Sequence, residues 1–556
     1  MNPLGIVLSV LLNFFSIIIL VYISIATMIG PWIAPSLVLV TSLIMKVINS
    51  SKSQQQSIKE IALIQSVGSV GGLVSVGIGF TFPALYFLDK PTFNNLVNNP
   101  FWFCSVLAFI CFSAGSFGMW IARSLGDSMV NKSDLPFPVS QLVYKTITSQ
   151  SQTKQAKSMF LGFSMTALLC YLRDGLSIGS KVKFPKILPV KDLFIFQRLF
   201  GKEAHISISP MLWAIGFIAG PSIAFPLFIG LLSRYFVLTP INLHSQYLPI
   251  TLFKPMNFQM LTMAFCSGII LAEILPGLLK YPSMIWNGAK KFFEGDHFKK
   301  IKNLDFNFFS NKGDTTNLFD KLEILIGIVL SVIFFSYFKF SILSQILILT
   351  LSVMVSYYIS YFGAKLGMVQ IGRFVTFVML PAILIFKLSY FQIVLMCVFV
   401  GVCVCVVPNV LFNYKIGKMC DISFERMHMY QWLGVVTTSM SIGLFLWLFL
   451  SNLQLGSAEL FGQRGLNRAL LIQSFNFNWT VVFIGFLYGL IIRKLKISPA
   501  MVFGGIMMPN SMTIGLSIGA LGSLLTQDRQ EHFPFFSGVF TSETIWLILS
   551  ILLRMI

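Results

Sequence analysis

Apolar runs of about twenty residues recur along the whole chain, and they limit the folds that it can adopt. The clearest runs are residues 4–28, 101–121, 258–279, 324–338, 391–407 and 545–556. A helix of about 20 residues crosses the ~30 Å hydrocarbon core of a bilayer, where every backbone polar group has to be bonded inside the protein. Only 11% of the 556 residues are charged, against roughly 25% in an ordinary soluble domain. We therefore expect an all-α polytopic membrane protein with about 14 to 16 helical segments, some of them half-length.

The 40 lysines and arginines, set against 20 acidic residues, lie mostly in connecting segments at residues 46–59, 173–202 and 280–321. Cytoplasmic loops of membrane proteins show this distribution, and attraction to anionic lipid explains the positive charge without a nucleic-acid partner. An uncharged turn at residues 30–32 follows the first span and a basic loop follows the second. The pattern predicts a multi-pass protein of the cell (inner) membrane with a cytoplasmic N-terminus. Placing all three basic loops on that side requires at least one re-entrant element.

The longest polar stretch, residues 281–321, divides the apolar segments into two groups of similar size. We predict an N-terminal repeat half (1–280), a cytoplasmic basic loop (281–321) and a C-terminal repeat half (322–556). The two halves contain matching residues in the same order along the chain. The matches at positions 216, 227 and 230 all have a spacing of 289 residues, without a gap. The matched pairs are Gly216 with Gly505, Leu227 with Leu516, Gly230 with Gly519, Pro138 with Pro408 and Tyr144 with Tyr414. Such matches on both sides of a central loop predict an internal two-fold repeat.

Four stretches rich in glycine or proline interrupt the helical pattern, at residues 65–83, 135–138, 216–221 and 408–417. Interruptions free backbone N–H and C=O groups, which inside a bilayer only a protein-enclosed cavity can satisfy. The first is interpreted as a tightly packed helix face or an unwound segment, the second as a re-entrant half-helix, and the third as a hairpin or a broken span. The candidate substrate-pathway residues are Gln65, Thr81, Pro83, Pro136, Pro138, Tyr144, Gly216, Gly220, Pro221, Arg373, Asn413, Tyr414 and Lys415.

Few ionisable side chains lie in apolar stretches, where inserting each costs at least ~2–3 kcal/mol. Glu273 and Glu543 are candidates for proton coupling, with an interfacial position or a structural ion pair as the alternative. Arg373 is a candidate to face a substrate carboxylate, and Lys415 has the alternative interpretation of a lysine that extends to the membrane interface. The cysteines at positions 397–405 are interpreted as small buried side chains or soft-metal ligands. We expect no cofactor and no resident metal.

Several motifs, in order along the chain, resemble those of the oligopeptide transporter family (OPT/YSL). The run QSVGSVGGLVSVGIGFTFPAL from Gln65 resembles the family's small-residue stretch that ends in Phe-Thr-hydrophobic-Pro-Ala-Leu. Residues 135–138 (LPFP) are similar to its Leu-Pro-aromatic-Pro element, and residues 216–221 (GFIAGP) to its glycine–aromatic–Gly-Pro element. Residues 415–417 (KIG) resemble its Lys-Thr-Gly, and residues 537–543 its C-terminal element. The resemblance extends over nearly the whole chain.

The resemblance implies a secondary active transporter that imports small peptides or metal chelates by alternating access, usually with protons. It implies a small-molecule or peptide substrate, a coupling cation and the lipid bilayer as partners, with a homo-oligomer as a further option. The chain departs from the family pattern at residues 139–141 and at Asn413, where the family usually has acidic residues. A passive channel and a lipid-type carrier remain alternatives. An intramembrane enzyme is the least expected class, because the five histidines are scattered and form no His-Glu-x-x-His motif.

Overall fold

The computed structural model describes most of the chain on both sides of the central polar stretch. The described residues are 3–26, 34–48, 54–131, 135, 137–148, 152–178, 181–184, 209–238, 258, 261–273, 315–366, 371–457, 460–473, 479–507, 510–526 and 529–555. Most of the predicted 281–321 loop lies outside these residues, and so does the predicted pathway residue Pro136.

Almost all described residues lie in helices. In the N-terminal half these are α1 (Pro3–Ala26), α2 (Ala34–Ile48), α3 (Gln54–Gly79), α4 (Ala84–Leu88), α5 (Lys90–Val97), α6 (Pro100–Gly126), α7 (Pro138–Thr148), α8 (Gln152–Asp174), α9 (Pro210–Ala219), α10 (Pro221–Ser233) and α11 (Leu261–Glu273). In the C-terminal half they are α12 (Thr315–Tyr337), α13 (Ile342–Leu366), α14 (Ile371–Ile385), α15 (Tyr390–Met419), α16 (Phe424–Asn452), α17 (Gln463–Gln473), α18 (Trp479–Lys494), α19 (Pro499–Met507), α20 (Asn510–Leu525) and α21 (Phe533–Met555). A short antiparallel hairpin, β1 (Leu176–Ile178) and β2 (Lys181–Phe184), follows α8.

Six helical stretches within the described residues are long and apolar enough to cross a membrane. They are Gly5–Ala26, Gln56–Leu88, Pro100–Asn131, Ile342–Tyr361, Tyr390–Met419 and Phe424–Asn452, and five shorter apolar helices accompany them. Large apolar side chains such as Ile342 and Met440 point outward, at 77% and 80% exposure. An outer surface of this kind is covered by lipid rather than water, so the predicted all-α polytopic membrane fold is confirmed.

Helix α15 forms the centre of the described structure, since every residue from Ile393 to Tyr414 is buried. It contacts α3, α6, α7, α13, α14 and α16. A helix that is apolar on all sides is buried either in a protein core or in a bilayer, and here neighbouring helices supply the apolar surroundings. Pro408 lies inside this helix without ending it, so the predicted interruption at residues 408–417 is wrong. Neighbouring helices on every side hold the backbone in place around the proline.

Helix α3 is continuous to Gly79, and its small residues form a close contact with α1. A Cβ atom on Gly72 would lie 2.2 Å from Ser16 Oγ, and one on Gly79 would lie 1.9 Å from Ser24 Oγ. The bare face therefore lets two helices approach closely. Within the predicted stretch 65–83, the interpretation of residues 65–79 as unwound is wrong and the alternative of tight helix packing is confirmed, while residues 80–83 form a turn before α4.

The two segments that match at a spacing of 289 residues pack against each other. Helix α9 lies on α20, and α10 lies on α19. A Cβ atom on Gly216 would lie 2.1 Å from the carbonyl oxygen of Leu516, and one on Gly505 would lie 1.8 Å from that of Leu227. The sequence match pairs Gly216 with Gly505 and Leu227 with Leu516. Replacing each residue of the first contact by its matched residue gives the second contact.

A second pair of contacts is related by the same sequence match. A Cβ atom on Gly230 would lie 2.1 Å from the carbonyl oxygen of Val502, and one on Gly519 would lie 2.0 Å from that of Trp213. Two matched segments that meet through equivalent surfaces are what an internal two-fold axis produces. Between α9 and α10 the chain turns at Gly220, whose φ of 75° lies in the region that glycine adopts without strain.

Candidate functional site

Buried carboxamide side chains of three long helices form the candidate site. Gln65 lies on α3, Asn409 and Asn413 lie on α15, and Gln431 lies on α16; each is at most 1% exposed. Gln65 and Asn413 are among the predicted pathway residues. We call these four residues, together with Ser69, the carboxamide cluster.

The packing of α3 on α15 brings Gln65 next to Asn413. Ser69 donates a hydrogen bond of 2.9 Å to Oδ1 of Asn409, and eight residues away on each helix Gly77 meets Gly401 backbone to backbone. Residue numbers rise on one helix as they fall on the other, so the helices are antiparallel. One helical turn beyond the Ser69–Asn409 bond, the two helices therefore place Gln65 opposite Asn413.

Helix α16 places Gln431 at the same height along the helix axes as Gln65. A Cβ atom on Gly434 would lie 2.7 Å from the carbonyl oxygen of Val67, and Gly71 meets the Thr438 hydroxyl four residues further along both helices. These helices are therefore parallel, and Gln431, one turn before Gly434 on the same face, lies level with Gln65.

Several polar atoms of the carboxamide cluster have no hydrogen-bond partner within the described structure. They are Nε2 and Oε1 of Gln65 and of Gln431, and Nδ2 of Asn409 and of Asn413. Leaving a buried donor or acceptor unsatisfied costs about 1–3 kcal/mol. Such a group of amide donors and acceptors matches a solute that itself carries amide or carboxylate groups, because each new hydrogen bond recovers part of that cost.

A second polar network lies one turn from the carboxamide cluster. The Tyr414 hydroxyl is hydrogen-bonded to Nδ1 of His428, whose Nε2 lies 3.0 Å from each carboxylate oxygen of Glu323. Tyr414 directly follows Asn413, and His428 is one turn from Gln431. We call Tyr414, His428 and Glu323 the histidine network; all three side chains are at most 7% exposed.

Arginine and tryptophan side chains complete the surroundings of the Glu323 carboxylate. Nε1 of Trp432 donates to one Glu323 oxygen at 3.1 Å, and Nη1 of Arg123 donates to the other at 3.4 Å. Arg123 also forms a 2.9 Å ion pair with Glu425, which is 55% exposed. The network thus extends from a buried tyrosine to a carboxylate at the surface.

The second predicted interruption contacts α15 beside this network. Ser140 donates a 2.8 Å hydrogen bond to the carbonyl oxygen of Phe412, and Nζ of Lys415 lies 5.4 Å from the centre of the Phe137 ring. Phe137 has a φ of 44°, a strained value for a residue with a side chain. Residues 137–140 and 412–415, which belong to the matched elements around Pro138 and Pro408, are therefore in contact.

The remaining predicted residues lie apart from the carboxamide cluster. Thr81 and Pro83 are buried in the turn between α3 and α4, where Thr81 donates to the carbonyl oxygen of Gly77 at 2.6 Å. Tyr144 is half-buried on α7. Gly216, Gly220 and Pro221 belong to the α9–α10 segment described above, where Gly216 meets α20 and Pro221 begins α10. For Pro138 and Arg373 only the backbone is described: Pro138 begins α7, and Arg373 is near the start of α14.

Glu543 lies in a site of its own, at the start of α9. Its carboxylate accepts hydrogen bonds from Nη1 of Arg173 at 2.8 Å, from the Ser209 hydroxyl at 3.1 Å and from the backbone N–H of Met211 at 2.6 Å. An acidic side chain at a helix N-terminus satisfies free N–H groups and interacts favourably with the helix dipole. Glu273 is buried at the end of α11, beside Ala272, whose carbonyl oxygen accepts from Arg493.

Sequence reasoning missed His428, Glu323, Asn409 and Gln431. The spacing of His428 and Gln431 on one face of a helix was a usable signal, because a polar stripe on an apolar helix has to face protein. Their meeting with Gln65 could not be seen, since it depends on how three helices from distant parts of the chain are arranged.

Comparison with known proteins gives one family match. A family model described as OPT oligopeptide transporter protein matches residues 1–534 of the chain. A search of curated proteins found no match.

Proposed function

Because the chain belongs to the oligopeptide transporter family, a family of transporters, we propose that it is a secondary active transporter that imports small peptides or metal chelates. We propose further that protons drive this import by alternating access. The protein lies in the cell membrane with its N-terminus in the cytoplasm, as the placement of basic residues favours.

The observation that carries this proposal is the carboxamide cluster with its unpartnered atoms, buried between α3, α15 and α16. Gln65 and Gln431 can each donate and accept hydrogen bonds, and the free Nδ2 groups of Asn409 and Asn413 add two donors. This set is complementary to peptide groups and to the carboxylates of an organic metal ligand. The cluster has no charge of its own, so only the solute loses ionic hydration on binding, and the hydrogen bonds to the amide groups offset part of that cost.

Proton coupling is supported by the position of the histidine network. Histidine is the side chain that gains and loses a proton near neutral pH, and both ring nitrogens of His428 have partners that fit either protonation state. The Tyr414 hydroxyl can donate to Nδ1 or accept from it, while Glu323 accepts from Nε2. One helical turn separates this proton site from the carboxamide cluster, so proton binding and solute binding affect the same helices. Glu273 and Glu543 remain proposed coupling residues.

Alternating access is supported by the contact between the matched segments α9–α10 and α19–α20. Transporters with internal repeats change access by moving one repeat against the other. The backbone contacts at Gly216, Gly230, Gly505 and Gly519 form a surface of the kind that such a movement uses.

An uptake screen in reconstituted vesicles tests the proposal. Di- to pentapeptides and ferric chelates are offered under an imposed pH gradient, with and without an uncoupler, and empty vesicles serve as the control. We expect accumulation of one class above its external concentration, and loss of that accumulation with the uncoupler. Solute that only equilibrates, with conductance in the absence of a gradient, would instead establish a passive channel.

Replacing a carboxamide in the cluster is expected to raise stability while it lowers transport. Gln431→Leu removes two unpartnered buried atoms, so we expect the free energy of unfolding to rise by about 1 kcal/mol or to stay unchanged. Uptake of the solute identified by the screen is expected to fall at least about tenfold, or ~1.4 kcal/mol. Thermal unfolding in detergent and vesicle uptake measure the two effects.

Gln345→Leu is the matched control. Gln345 is also buried, but its amide donates to Ser336 Oγ at 3.2 Å and to the carbonyl oxygen of Phe340 at 3.0 Å. We expect this variant to lose stability and keep its affinity for the solute. Equal loss of stability in both variants, or undiminished uptake by Gln431→Leu, would contradict the assignment of the cluster.

Glu543→Gln separates the two roles that its position allows. If Glu543 couples protons, the variant loses proton-driven accumulation while its thermal midpoint changes little. If the carboxylate only holds Arg173 and α9 together, breaking a buried pair costs about 3–5 kcal/mol, and pH-dependent uptake by the folded fraction persists. Full proton-dependent uptake in the variant would refute a coupling role.

A further inference from the structure

Helix α17 is short and polar in sequence (QRGLNRALLIQ), yet it is buried in the protein. Gln463 and Arg468 are 0% and 7% exposed. The helix lies against the turn that follows α3, where a Cβ atom on Gly465 would lie 2.7 Å from the backbone nitrogen of Ala84. A polar segment enclosed in this way has to satisfy its side chains inside the protein.

Two of these buried side chains, Gln463 and Arg468, have polar atoms without a hydrogen-bond partner in the described structure. Nη1 of Arg468 has no hydrogen-bond partner, and neither do Nε2 and Oε1 of Gln463. Arg468 takes part in none of the ion pairs that the described residues form. The ionisable group that interacts with it electrostatically is the thiol of Cys397 on α15. A buried guanidinium without a counter-charge costs several kcal/mol.

A ligand with a carboxylate group would remove this cost. The planar guanidinium presents paired N–H donors that match the two oxygens of a carboxylate, and it keeps its charge at any physiological pH. The surroundings already carry further positive charge: the guanidinium of Arg464, one turn earlier on the same helix, lies 4.8 Å from the centre of the Phe80 ring. An incoming anion would thus meet two arginines at the end of α3.

This position is distinct from the carboxamide cluster. Cys397 and Asn409 are twelve residues apart on α15, a distance of about 18 Å along a helix. An extended chain spans at most ~3.6 Å per residue, so a di- or tripeptide cannot occupy both positions at once. Gly462, just before α17, donates a 2.9 Å hydrogen bond to the carbonyl oxygen of Ile25 at the end of α1, which is the outer end if the N-terminus is cytoplasmic.

We propose that Arg468 is a recognition site for the carboxylate of the incoming solute, on the outer side of the carboxamide cluster. The site selects solutes that carry a carboxylate before they reach the cluster. This inference rests on the proposed transport function and adds to it a separate binding position and a substrate class, namely solutes with at least one free carboxylate.

Equilibrium binding to the purified protein tests the site with triglycine, triglycine amide and citrate as probes. We expect the wild type to bind triglycine and citrate at least about tenfold more tightly than the amide, which keeps the terminal ammonium group but has no carboxylate. Arg468→Gln should bring this ratio close to one, and Arg468→Lys should keep a reduced preference, because lysine retains the charge without the paired donors. Arg426→Gln, which removes an exposed arginine of α16, should leave the ratio unchanged.

A wild type without carboxylate preference overturns the inference, and that comparison needs no variant. A preference that persists in Arg468→Gln overturns it as well. The outcome is distinguishable from failure of the proposed function, because vesicles that accumulate solute without preferring the carboxylate form remain transport-competent. Vesicles that accumulate nothing contradict the transport function itself.

Discussion

His428→Gln is expected to abolish proton-driven accumulation while solute exchange between compartments of equal pH continues. Glutamine can keep hydrogen bonds to Tyr414 and Glu323, but it cannot take up a proton near neutral pH. The imposed pH gradient then no longer acts on α15 and α16 through the histidine network. We expect accumulation to fall at least about tenfold, equivalent to ~1.4 kcal/mol of lost coupling, and counterflow in vesicles to measure the exchange that remains.

His532→Gln is the control for this experiment. His532 is exposed and lies outside the histidine network, against the ring of Phe217. This variant should accumulate solute like the wild type. Accumulation by His428→Gln at the wild-type level and with the wild-type pH dependence would show that protons act elsewhere, and Glu273 and Glu543 would then be the next residues to replace.

Gly519→Ala is expected to destabilise the protein strongly, whereas Gly522→Ala, one turn further along the same helix, is expected to be harmless. The added Cβ atom at position 519 would lie 2.0 Å from the carbonyl oxygen of Trp213, and at position 522 the nearest atom, Cδ2 of Phe217, is 3.8 Å away. Because the obstacle at 519 is backbone, α9 and α20 have to separate. Overpacking of this kind costs about 1–3 kcal/mol or more, and alanine at 522 gains up to ~1 kcal/mol in helix propensity.

Thermal unfolding of the purified variants measures the difference, and the repeat provides an internal comparison. Gly230 is the counterpart of Gly519, and a Cβ atom there meets the carbonyl oxygen of Val502 at 2.1 Å. Gly230→Ala should therefore lower the midpoint by a similar amount. A midpoint for Gly519→Ala equal to that of Gly522→Ala, or a Gly230→Ala variant as stable as the wild type, would contradict the two-fold packing of these segments.

The membrane fold could be predicted because the cost of exposing backbone to lipid leaves few alternatives for a chain with so many apolar runs. The breaks in those runs were harder to interpret. Gly72 and Gly79 suggest either a packed face or an unwound segment, and only the position of α1 decides between them. Pro408 suggested an interruption, yet close neighbours on all sides keep α15 helical around it.

The candidate site was predictable in part. Gln65, Asn413 and Tyr414 were found because they lie in conspicuous motifs. Their partners Gln431, His428 and Glu323 come from two other helices. Helical periodicity shows which face of a helix is polar, but it does not show which helix that face meets, or at what level. Arg468 was missed for the same reason, since a polar helix reads as exposed until its neighbours are known.

The reactivity of a cysteine at position 69 tests directly whether the carboxamide cluster is the binding site of a carrier. Ser69 is buried and bonded to Asn409, so Ser69→Cys places a thiol in the cluster, with the wild type as the background for the native cysteines. Alternating access predicts that a membrane-impermeant maleimide reaches this thiol from either face of the vesicle. Reversing the pH gradient should change the face from which the thiol reacts faster. The transported solute should protect the thiol from maleimide on both faces. A thiol that reacts from neither face, or one that the solute does not protect, would contradict the assignment.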